Sequence, residues 1–100
     1  MDATTLKQIL LQELQAYTGE GLNAFSYLTE NEAEQLYTVV DIANIKGKRM
    51  VSTVLITRIV GNQIVIELDH NNKELADALI ARGVTENQII RAYQGEAVPI

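Results

Sequence analysis

The sequence predicts an α+β domain: an N-terminal helix, an antiparallel β-meander of about four strands, and two C-terminal helices, the second short. Three observations predict it. Leu6, Ile9, Leu10, Leu14 and Tyr17 recur at helical spacing. Leu36 to Asp69 is dense in Val, Ile, Thr and Tyr and is broken by two turn signals. After Asp69 a helical pattern returns, with asparagines before it and Gly83 behind it. At 100 residues, 47% apolar, with one proline, the chain has the composition of one folded domain spanning residues 1–100 rather than of a disordered segment.

The first helix is expected over about residues 5–18. Thr4 or Thr5 would cap its start and Gly19 would take the left-handed position past its end. Its apolar stripe must dock on something. A short strand, AFSYL, follows, and the acidic stretch Thr29–Glu34 reads as an exposed turn. Three more strands then run to Asp69. Gly61-Asn62 suits a two-residue hairpin, pairing Val60 with Gln63, Ile59 with Ile64, Thr57 with Ile66 and Leu55 with Leu68. Placing Gly47-Lys48 at the other turn pairs Ile45 with Met50, Ile42 with Thr53 and Val40 with Leu55. Asn71 or Asn72 would cap a helix containing Leu75, Ala78 and Leu79. Thr85 and Gln88 have capping-box spacing for a second short helix.

These registers put Val40, Ile42, Val51, Leu55, Ile59, Ile64, Ile66 and Leu68 on one face. The other face collects Val39, Ala43, Ile45, Met50, Val54, Ile56 and Val65, interrupted by Asp41, Ser52, Arg58 and Glu67. A meander wet on one side would be more polar there. That second face is the candidate oligomer surface, and a homo-oligomer is expected.

Chemistry is sparse. With no cysteine there is no disulfide framework or thiolate, and the natural setting is a reducing cytoplasm. The N-terminus does not read as a signal peptide, and no apolar run is long enough to cross a bilayer. A metal site wants three or four ligands; here one histidine, His70, stands beside Asp69, and that corner reads as a turn capping the next helix. The alternative is a small-ligand or enzymatic pocket at His70. Glu30, Glu32 and Glu34 lack the glycine and ligand order of a calcium loop. Ser26 and Ser52 sit in strands, outside any nucleophile elbow, and no glycine loop cradles phosphate. No catalytic residue, metal or cofactor is therefore assigned. A net charge of −5 opposes general affinity for nucleic acid or anionic membranes. Yet Lys46, Lys48, Arg49 and Arg58 fall in an acid-free stretch from Ile42 to Ile66, and these four are the candidate nucleic-acid contacts.

The segment IVIELDHNNKELADALIARGVTENQIIRAYQGE resembles the C-terminal half of the XisI-like family of small cyanobacterial proteins. Asp69, Leu75, Ala76, Leu79, Gly83, Val84, Ile89, Ile90 and Tyr93 fall on its pattern. So do the tyrosine closing the first helix, the Tyr37-x-Val39 strand and the Lys48-Arg49-x-Val51 hairpin; Thr85 stands where many members have proline. The resemblance implies an accessory factor controlling excision of a DNA element, beside a separate recombinase or an XisH-like protein of nuclease fold. It supplies no catalytic residue.

Overall fold

In a computed structural model, residues 1–99 are described; the last residue of the AVPI tail lies outside them. Helix α1 spans Ala3–Gln15 and is capped by Asp2, whose carboxylate accepts the Thr5 N–H at 2.8 Å, rather than by a threonine. It stops short of Gly19, whose φ of +120° instead opens a strand. Leu6, Leu10 and Leu14 are wholly buried along its stripe, each contributing about 1.5–3 kcal/mol.

Six strands form one sheet in sequence order: β1 Gly19–Gly21, β2 Ala24–Asn31, β3 Leu36–Ile45, β4 Lys48–Val60, β5 Gln63–Asp69 and β6 Ile89–Arg91. The first five pair antiparallel, and β6 runs parallel to β5. The meander thus gains two strands over the four expected. One comes from the GEG segment, joined to β2 through Leu22 and Asn23. The other replaces the second C-terminal helix. Only a single 3₁₀ turn, Glu86–Gln88, forms there, and Ile89-Ile90 continues as a strand buried on both faces. Two adjacent β-branched residues suit that setting better than a helix. Helix α2, Leu75–Ala81, makes the crossover from β5 to β6.

The core joins α1 and α2 to one sheet face through Tyr37, Val39, Leu55, Ile59, Ile64, Ile66 and Ile89. Gln88 fastens the domain's end: its amide donates to the carbonyls of Met1 at 2.8 Å and Asn62 at 3.1 Å.

The β4–β5 turn follows the sequence reading from Val60–Gln63 to Thr57–Ile66, with positive φ at Gly61 as its two-residue turn requires. The β3–β4 turn differs. Lys46 and Gly47 both have positive φ, 51° and 78°, and form the two-residue loop, so Ile45 pairs with Lys48. Further along, Val39 pairs with Leu55 but Val40 pairs with Thr53, leaving Val54 as a bulge in β4. A second irregularity, at Glu67, pairs Leu55 with Asp69 and Ile56 with Leu68. A bulge exchanges the faces on either side of itself. Val40, Ile42 and Val51 do lie together, but on the side opposite Leu55, Ile59, Ile64 and Ile66, and Leu68 joins that opposite side. The single continuous apolar face expected from the sequence is therefore split in two.

Candidate functional site

The Asp69–His70 corner is a capping device. Asp69 Oδ2 accepts the Leu75 N–H at 2.8 Å, and Oδ1 accepts the Asn71 N–H at 3.1 Å and the Asn71 side-chain amide at 3.0 Å. Asp69, not an asparagine, thus caps α2. The exposed His70 contributes its backbone N–H to the Val54 carbonyl at 3.0 Å. No three His, Cys, Asp or Glu side chains converge as metal ligands among the described residues. Nearby, Tyr17 donates to the Lys73 carbonyl at 3.0 Å. Burial first, then the negative charge of Asp69, pushes its hydroxyl pKa up to about 12. Of the acidic loop, Glu32 pairs with Lys7, whose pKa it raises, and Tyr37 reaches the same carboxylate at 3.4 Å. Glu13 on α1 pairs with Arg82 past the end of α2, tying the two helices together.

What remains unabsorbed lies at the far end of the sheet, where β3 and β4 run beyond the helices. Apolar side chains stand on both sides there, Ala43, Ile45 and Met50 on the helix side and the aromatic rows on the other. On the helix side the register row Ser26–Asp41–Ser52 is polar, with Ser26 donating to the Asp41 carboxylate. On the opposite side the rows Phe25–Ile42–Val51 and Tyr27–Val40–Thr53 are mostly apolar. Phe25 and Tyr27 stand two residues apart with ring centroids 4.5 Å apart. They are 40% and 45% exposed, and Val51 is 70% exposed. Where this face meets the β1–β2 turn, a shallow cavity of about 350 Å³ is lined by Phe25, Ile42, Asn44 and Arg49 among others.

The candidate cations are partly brought together. Lys46, Lys48 and Arg49 sit exposed at the hairpin tip. Arg58 lies elsewhere, its guanidinium bound to Glu67 at 2.8 and 2.9 Å. The proposed oligomer residues do not form one surface. Val39 is 0% exposed beneath the helices. Val65, also 0% exposed, lies on the opposite face between Arg58 and Ile90 in register. Ala43, Ile45 and Met50 share the helix side beyond the helices, Val54 packs on the core at the bulge, and Ile56 sits half-buried on the opposite side. The bulge is the physical reason for this scatter. The sequence places Phe25 and Tyr27 in the AFSYL strand without marking them as a surface, although two aromatics two residues apart in a strand do share a face.

Comparison with known proteins bears on the same fold. The family model described as "XisI protein" matches residues 2–98. Comparison with curated proteins finds no similar sequence. Two solved structures from Anabaena variabilis share the fold. An fdxN element excision controlling factor XisI is 20% identical, with a TM-score of 0.71 over 92% of this chain and 93% of its own. A XisI-like protein is 15% identical, with a TM-score of 0.69 over 97% of this chain and 95% of its own. With residues 2–98 inside the family model, and a fold shared with the XisI and XisI-like structures, this chain belongs to the XisI family.

Proposed function

We propose that the chain is a non-enzymatic control factor for excision of a DNA element, acting through protein contacts at the far end of its sheet. The excision role is taken from the name of the similar Anabaena protein. The observation that carries the mode of action is the exposed apolar surface that Phe25, Tyr27, Ile42 and Val51 form on the side opposite the helices. Exposed apolar patches of this kind serve association. The partners proposed are a second copy of the chain and an excision recombinase or an XisH-like protein.

The test is a reconstituted excision reaction with a recombinase and DNA carrying its element. The reading expects the chain alone to break no phosphodiester bond, yet to change the yield of the recombinase. Phe25→Asp should abolish that change while melting like the wild type, since Phe25 lies outside the core. Strand cleavage by the chain alone, or an effect that survives Phe25→Asp, would overturn it. Direct DNA contact is the second reading, favoured by the cluster of Lys46, Lys48 and Arg49 at one tip. It predicts affinity falling steeply with salt; it is the weaker reading because Arg58 is already neutralised by Glu67.

A further inference from the structure

Beyond the apolar face, the same end of the sheet carries an unpaired backbone edge. Strand β4 pairs with β3 from Lys48 onward, but β5 meets it only from Leu55. From Lys48 to Thr53 its outer side has no neighbouring strand among the described residues. The two-residue turn makes Ile45 and Lys48 a hydrogen-bonded pair, and such pairs alternate along an antiparallel ladder. The N–H and C=O groups of Arg49, Val51 and Thr53 therefore face the open side. The row ends at Val54, whose carbonyl is taken by the His70 N–H. Side chains from Lys48 to Ser52 are exposed, including Met50 and Val51, and Lys46, Lys48 and Arg49 form no ion pair among the described residues.

We propose that this edge of β4 accepts an extended acidic segment of a partner protein as an added strand, with Lys46, Lys48 and Arg49 neutralising its carboxylates. The inference rests on the protein-contact reading above and names the chemistry of the partner. An open row offers donors and acceptors alternately, which another backbone satisfies. Phosphates supply no donors for the carbonyls, so a nucleic acid held through its phosphate backbone would leave half the row unmet. A second copy fits less well. Two-fold pairing about Val51 would set Arg49 opposite Thr53 and leave the cations without counter-charges. The open segment, six residues long, is about 20 Å of strand, enough for a short peptide.

The test uses the full chain and two fluorescent peptides of about ten residues, one alternating Glu with Val, the other Lys with Val, read by anisotropy. The acidic peptide binds and the basic one does not, and added salt weakens binding. Val51→Pro removes one outward N–H at an edge position where proline is tolerated, and weakens binding about tenfold or more. Hydrogen exchange of the unaltered chain provides a readout independent of any variant: the amides of Arg49, Val51 and Thr53 gain protection when the acidic peptide is added. Equal binding of both peptides, no protection at those three amides, or displacement of the peptide by a short DNA duplex would overturn the proposal. Failure here with the excision assay intact removes only the edge site. Peptide binding without any effect on excision removes the control role and leaves the edge.

Discussion

Single residues decide the corners of this domain. Asp69 satisfies two backbone N–H groups and one side-chain amide from a single carboxylate. Asp69→Ala should cost about 1–3 kcal/mol in urea unfolding. His70→Ala should leave the midpoint where it was, because His70 contributes through its backbone. Equal losses for the two variants would contradict the capping account. Tyr17 makes a pH-dependent contribution. The folded chain holds its phenol neutral up to about pH 12, whereas an ordinary tyrosine titrates at 10.0. Between those values the unfolded chain releases a proton that the folded chain keeps. Stability from this group is therefore full below pH 10 and is lost as pH rises toward 12. Tyr17→Phe should flatten the fall of the urea midpoint across that window; an unchanged slope would place the alkaline sensitivity elsewhere, as at Tyr37 or Tyr93, which burial also raises.

Elements show where sequence pattern suffices and where it does not. The stripe of α1 was legible because Leu6, Leu10 and Leu14 recur at helical spacing and all reach the core. Leu10→Ala should destabilise the domain by about 2–5 kcal/mol in chemical denaturation. A loss below 1 kcal/mol would mean that α1 is not docked as described. The Gly61-Asn62 hairpin was legible because its glycine fixes the loop and the β-branched pairs follow. The β3–β4 register was not. Lysine disfavours positive φ, so Lys46 gave no turn signal, and nothing in Ser52-Thr53-Val54-Leu55 announces an extra residue. That one residue moved Val39 into the core and Val51 out of it, and with them the surface that partners would see. The strand at Ile89–Arg91 was missed for a related reason. Its pairing with β5 is set by the tertiary crossover through α2, while its local pattern of capping residues suggested a helix.

The whole molecule measures 44 × 27 × 24 Å, long for a 100-residue chain. Its length follows from a sheet whose helices cover only one end of one face. The covered end is a conventional two-layer core. Among the described residues, the uncovered end carries aromatic and aliphatic rows on the reverse side, three cations without an ion pair at the tip and a strand edge along β4 with no paired neighbour. The proposed protein-contact role rests on these three features together. On the proposed reading, protein covers this end in solution. Sedimentation velocity at micromolar concentration, with the chain alone and mixed with an excision recombinase, tests it most directly. A species heavier than the 11.1 kDa monomer is expected, alone or in the mixture, and Phe25→Asp should return it to monomer. A strict monomer under both conditions, or an assembly indifferent to Phe25→Asp, would contradict it.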